Sequence, residues 1–216
     1  MEAAEIRRTG GLQQKMQVEA SGKKAYLRLR EKVLLNASHK SGITNSFVER
    51  LGRLMCTDAY FEGVEAADMI PYRLANKVKT ILIINLALNG EFLSGRQTAG
   101  HFVVVVLVSG HAYYFDPLGM PPTEPHVLRF LKHAHRPVTN VVQHPIQHFA
   151  SAACGLFALF YAKIADDRAQ GIQHSPDAFP FYTRKCDLLK NDHLVLKYLI
   201  QLSMATEQKK ANSIIF

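Results

Sequence analysis

Hydrophobic and polar positions divide the chain into helix-like, then strand-like, then helix-like stretches. Residues 46–55 place Phe47, Leu51 and Leu54 on one side and predict a short amphipathic helix. Tyr60-Phe61-Glu62-Gly63 reads as a turn. From Pro71, a residue suited to a first helical turn, the positions Leu74, Val78, Ile81, Leu82, Leu86 and Leu88 predict a buried helix that Asn89-Gly90 stops. Residues 94–100 form a polar loop. Residues 102–108 (Phe-Val-Val-Val-Val-Leu-Val) are β-prone without polar alternation, which predicts a central strand buried on both faces. Ser109-Gly110 signals a hairpin, Ala112-Tyr113-Tyr114-Phe115 the returning strand, and Asp116-Pro117-Leu118-Gly119 its end. Residues 123–134 read as a helix with Val127, Leu128 and Leu131 on one face, and residues 137–142 as a third, shorter strand. A strongly apolar run from Cys154 to Ile164 predicts a buried helix reaching about Asp166, with Ser151 as its N-cap. Residues 192–204 give a last amphipathic helix, and Ile214-Ile215-Phe216 an end that frays or docks in a groove. The order predicts an α+β domain: a small central mixed or antiparallel sheet flanked by helices.

Length and composition narrow this picture. The 216 residues, 48% hydrophobic and 20% charged, suit one large globular domain, assigned to residues 41–216. Residues 1–40 carry nine Lys or Arg against four Glu and read as a basic extension in which residues 25–35 form a basic helix. The bland reading of that extension is a solvated face; the sharper one is a nucleic-acid-binding or targeting arm. No stretch reaches the ~18 consecutive apolar residues of a membrane span, and the N-terminus lacks a signal-peptide pattern. Three cysteines without CxxC spacing argue against a disulfide framework or zinc site and for a reducing compartment. A net charge of +8 and a pI near 9.4 favour polyanions such as nucleic acid without naming one.

The chemistry centres on residues 147–160. A thiol in the first turn of a buried helix feels the positive end of the helix dipole, which favours thiolate, and the same turn presents unpaired N–H groups to an oxyanion. Ala152, Ala153 and Gly155 leave room for a substrate carbonyl. The competing reading is that Cys154 is an inert core residue, as most buried cysteines are. A hairpin centred on Ser109-Gly110 pairs residues whose numbers sum to 219. His101 then faces Leu118, with Asp116 diagonal on the same face. An imidazole beside a carboxylate, brought to a thiol, makes the nucleophile, base and orienting acid of a cysteine hydrolase. Ten histidines make some His–Asp proximity expected by chance. Gln147 and Gln143 both qualify by spacing as a side-chain oxyanion donor.

At these residues the chain resembles a family. Gly100-His101-Phe102-Val103, Tyr114-Phe115-Asp116-Pro117-Leu118-Gly119, and Gln147 with Ser151-Ala152-Ala153-Cys154-Gly155-Leu156-Phe157 resemble the adenovirus endopeptidase (adenain) family of the Ulp1-like clan of cysteine proteases. Asp58-Ala59-Tyr60-Phe61-Glu62-Gly63 and the region after Pro71 extend the likeness over roughly residues 45–165. The resemblance implies that fold, with Cys154 as nucleophile, His101 as general base and acid, Asp116 as orienting carboxylate, and Gln147 with the Cys154 N–H as oxyanion hole. Asp116 stands where adenovirus enzymes usually carry Glu. Lys132-His133-Ala134-His135-Arg136-Pro137 holds no counterpart of the cysteine that links those enzymes to an activating peptide, and residues 1–40 match nothing in them.

The same resemblance implies a thiol endopeptidase of a divergent DNA virus or related mobile element. Its expected task is the processing of viral precursor proteins at Gly-containing sites during virion maturation. The chemistry needs no cofactor, and activation by DNA or a viral peptide is expected to be non-covalent. Expected partners are protein substrates and nucleic acid, with no membrane; a monomer in the host nucleus or cytoplasm and in the virion is expected. Thr9-Gly10-Gly11 is a flexible turn on the plain reading and a self-processing site on the sharper one. A ubiquitin- or SUMO-like deconjugase, a Ser/Thr acetyltransferase and a non-catalytic basic DNA-binding or packaging protein are the alternatives.

Overall fold

The computed structural model describes residues 43–90, 100–108, 110–172 and 187–213. The basic extension with its expected helix, Thr9-Gly10-Gly11, most of the 94–100 loop and Ile214-Ile215-Phe216 lie outside the described residues. Among the described residues, four helices pack around a five-stranded sheet: α1 (Asn45–Met55), α2 (Pro125–His133), α3 (Cys154–Ala169) and α4 (Leu188–Ser213). The strands β1 (Phe61–Ala66), β2 (Thr80–Asn85), β3 (Phe102–Val108), β4 (His111–Phe115) and β5 (Val138–Asn140) lie side by side in chain order. The three central strands pair antiparallel, while β1 and β5 run parallel to β2 and β4. The expected mixed α+β class is what the chain adopts.

Each sheet face has its own core. Ile81, Ile83, Val104, Val106 and Phe115 point to one side, against α1, α3 and α4. Leu82, Ile84, Val103, Val105 and Tyr114 point to the other, against α2 and two short 3-10 turns, Ala67–Met69 and Tyr72–Asn76. The period-2 alternation of strand side chains feeds both layers from the same apolar runs. The β3–β4 ladder runs from Val104 opposite Phe115 to Val108 opposite His111, the register expected from the hairpin.

Three expectations for residues 45–88 need correction. The helix expected from Pro71 to Leu88 is one 3-10 turn followed by β2. All six residues Thr-Ile-Leu-Ile-Ile-Asn are buried, so the run has no polar face to give a helix, and its β-branched side chains suit a strand flanked by two neighbours. Phe61-Glu62-Gly63 opens β1 rather than forming a turn, and the ladder with β2 shifts register between Phe61 and Gly63, whose φ is 127°. In α1 the buried stripe is Val48, Gly52 and Met55, with Phe47 and Leu51 only partly covered. Gly52 sets that orientation, because a Cβ there would lie 2.3 Å from the Phe61 ring.

Boundaries move for local reasons. Glu124 caps α2 through Val127 N–H at 2.7 Å, and Leu128, expected inward, is 45% exposed while Phe130 is buried. Asp187 accepts the Lys190 N–H at 3.0 Å and so starts α4 four residues before the expected Asp192. The end of α3 lies at Ala169, just before Gly171, which takes a left-handed φ of 81°.

Candidate active site

Gly100-His101 leads into β3 at the end of the sheet where β4 runs out into Asp116. His101 Nε2 and Asp116 Oδ1 are 2.8 Å apart. Asp116 is 3% exposed, and the same oxygen accepts the Leu118 N–H at 2.7 Å, so the carboxylate is fixed before the ring reaches it. Gly119, at φ 72°, lets the turn close over the 144–147 segment; a Cβ there would lie 2.5 Å from the His144 backbone. The Pro117 carbonyl then accepts the N–H of Ile146 at 2.9 Å and of Gln147 at 3.2 Å. One turn thus holds both the carboxylate and the segment bearing Gln147.

Cys154 is the first residue of α3. Ser151, the expected N-cap, does not cap this helix: Ala153 occupies the cap position with no side-chain bond. The Ser151 side chain is turned elsewhere, within 3.4 Å of Gln147 Nε2 and hydrogen-bonded to Asp192. Without a side-chain cap, the first N–H groups of α3 keep the capacity to bind an anion. Cys154 Sγ lies 3.9 Å from the Gly100 carbonyl oxygen and hydrogen-bonds His101. Since Asp116 takes Nε2, the ring nitrogen left for sulfur is Nδ1. The structure therefore brings His101, Asp116 and Cys154 together.

The two glutamines separate cleanly. Gln143 is exposed, whereas Gln147 is 3% exposed and donates from Nε2 to the Ser151 carbonyl at 2.8 Å. The Gln147 Oε1 is buried with no partner among the described residues. From α4, Asn191 Nδ2 donates to the Ile146 carbonyl at 2.9 Å and Asp192 Oδ1 accepts the His148 N–H at 3.2 Å. Burial raises the Asp192 carboxyl from its usual range, against opposing bonds from Ser151 and His148. Nothing in the spacing of Asn191 or Asp192 points to the site, because only the tertiary path of α4 brings them to this loop.

Asn85 is equally hidden from a reading of the sequence. It ends β2, is 1% exposed, donates to Asn45 Oδ1 at 2.7 Å and accepts the Ala87 N–H at 3.1 Å. Its amide packs on Gly100, where a Cβ would fall 1.7 Å from Oδ1. The Leu86 N–H also donates to the His101 carbonyl at 2.8 Å, so β2 fixes the backbone that delivers the ring.

Electrostatics follow the geometry. Burial opposes charge on His101. Hydrogen bonds from Asp116 and Cys154, with the charges of both, outweigh it and push the ring up to about 10. Such a ring holds a proton firmly at neutral pH and gives it up only to a demanding acceptor. Burial, then the Asp166 carboxylate, push the Cys56 thiol up beyond the range of a reactive cysteine. Among the described residues no group of three or more His, Cys, Asp or Glu is placed to hold a metal ion, and no helix is long and apolar enough to cross a membrane.

No protein-family model matches the chain, and no curated protein matches it in sequence. Among solved structures it is similar to the ASFV pS273R protease, at 15% identity and a TM-score of 0.46, over 77% of this chain and 68% of that one. So slight a likeness adds nothing to the reading of the site, which stands on its own geometry.

Proposed function

We propose that the protein is a cysteine endopeptidase in which Cys154 is the nucleophile, His101 the general base and acid, and Asp116 the orienting carboxylate. The observation that carries this reading is an imidazole hydrogen-bonded at once to a buried carboxylate and to a thiol at a helix N-terminus. Chance proximity of a His and an Asp accounts for one of those contacts and not for the pair. The proton of Cys154 rests on the His101 ring at neutral pH, and the thiolate sulfur attacks the carbonyl carbon of the scissile peptide. The oxyanion meets the Cys154 N–H and Gln147 Nε2. That nitrogen carries two hydrogens, of which the 2.8 Å bond to Ser151 O uses one, and the 3.4 Å contact to Ser151 Oγ is the weaker one to exchange for substrate. The carbon–nitrogen bond breaks as His101 passes its proton to the leaving amine. Water then attacks the thioester, His101 takes a proton from it, and the acid leaves with the thiol regenerated.

The block resemblance to adenain extends the proposal to viral precursor proteins cut beside glycine. Incubation of the full chain with a peptide library rich in Gly-containing sites, with and without DNA, tests the proposal by mass spectrometry. The wild type should cleave and Cys154→Ala should not. A wild type that cleaves nothing while a peptidyl vinyl sulfone leaves Cys154 unmodified overturns the reading.

A further inference from the structure

At the end of the sheet opposite Cys154 the fold encloses a second concavity, of about 200 Å³, between β2, β3, β4 and the last turns of α3. From Cys154 to its wall residue Ala165 is eleven helical residues, about 16 Å at the rise of an α-helix. It is therefore no part of the proteolytic site. Its floor is apolar, with Ile81, Val106 and Ile164 all buried. The half-buried Tyr60, Lys79 and Tyr113 and the exposed Arg168 line it toward solvent, at its mouth.

The polar groups are unevenly chosen. Both side chains lining the cavity that carry charge at neutral pH are cations, and no acidic side chain lines it among the described residues. Lys79 Nζ donates to the Ala169 carbonyl at 3.1 Å and lies 4.9 Å above the centre of the Tyr60 ring. These two partners are neutral, so its charge is oriented at the mouth without a carboxylate from them to cancel it.

We propose that this cavity binds a small carboxylate with an apolar body. The ring or branched chain fills the space over Ile81, Val106 and Ile164, and the acid group meets Lys79 at the mouth. The volume sets the size: it holds roughly seven waters at about 30 Å³ each, one ring with a short arm, and falls below the ~300 Å³ at which drug-sized ligands begin. This site stands independently of the peptidase proposal, and its test does not measure proteolysis.

The test is an amide-shift titration of the ¹⁵N-labelled full chain with 4-phenylbutyrate, 4-phenylbutanol and 4-phenylbutylamine. The acid should saturate, with the largest shifts at residues 106–108 and 164–169. The alcohol should bind about tenfold more weakly, the factor of one charge-assisted hydrogen bond, and the amine more weakly still. Lys79→Met should bring the acid to the level of the alcohol, and Ala165→Leu should abolish saturation by filling the cavity. Binding of all three probes with equal affinity, shifts centred near Cys154, or no saturation by the acid overturns the proposal. The three-probe comparison on the wild type decides even where a variant fails to fold.

Discussion

Gly100→Ala tests how closely β2 supports the proposed catalytic histidine. A Cβ at residue 100 would lie 1.7 Å from Asn85 Oδ1 and 2.6 Å from its Cγ, where ordinary contact begins at 3.4 Å. One of the two residues must therefore retreat by about 1.7 Å (3.4 less 1.7). The requirement is steric, since Gly100 is not among the glycines with positive φ. If Asn85 yields, its bonds to Asn45 and Ala87 are strained or lost; if Gly100 yields, His101 and the carbonyl against Cys154 Sγ move with it. Overpacking costs about 1–3 kcal/mol and each lost hydrogen bond about 0.5–1.5 kcal/mol, so destabilisation should be about 2–4 kcal/mol. A displacement of about 1 Å in a reacting group lowers turnover about 100-fold. Urea unfolding and kcat/KM on a cleaved peptide read the two effects. Asn85→Ala removes the obstructing amide, so the double variant should be more stable than the sum of the singles by about 1–2 kcal/mol. A Gly100→Ala protein with wild-type stability and turnover, or strictly additive singles, would refute the reasoning.

Three further outcomes are expected. Gln147→Ala should lower kcat about 100- to 1000-fold, the usual effect of removing an oxyanion donor, while Gln143→Ala at an exposed position should change it less than about twofold; equal effects would remove Gln147 from the oxyanion hole. With its pKa raised from 6.5 to about 10, His101 stabilises the fold fully below pH 6.5 and loses that contribution as pH rises through about 10. Wild type should therefore lose more stability than His101→Gln between pH 7 and 10 in urea titrations; parallel curves would contradict the coupling to Asp116 and Cys154. Iodoacetamide at pH 7 should modify Cys154 and spare Cys56 in the native state, read by peptide mapping, and labelled Cys56 would mean that its burial is not maintained.

The hairpin is legible in the sequence because its signals are local. Ser109-Gly110 and a run of valines set β3 against β4, and that register alone places His101 near Asp116. The strand β2 imitates a helix because Leu74, Val78, Ile81 and Leu82 fall at helical spacing. Four consecutive apolar residues at 81–84 are the better signal, since burial on both faces erases periodicity. Gly63 disguises β1 as a turn, when it marks an irregular strand. Spacing does not choose between two glutamines four residues apart, because burial of residue 147 depends on the Asp116–Gly119 turn and on α4. Asn85, Asn191 and Asp192 carry no motif, as buried amides and acids acquire meaning only from what tertiary packing sets beside them.

Cys154 opens a helix with 12 of its 16 residues buried. Leu156, Phe157, Leu159, Phe160 and Ile164 are each at most 1% exposed. At roughly 1.5–3 kcal/mol apiece they anchor α3 by about 8–15 kcal/mol, as much as the whole net stability of an ordinary domain. The proposed nucleophile, mounted on such a post, cannot loosen by itself, as one carried on a surface loop can. Thermal inactivation and melting should then be a single event, and cooling a partly heated sample should return activity in step with refolded protein.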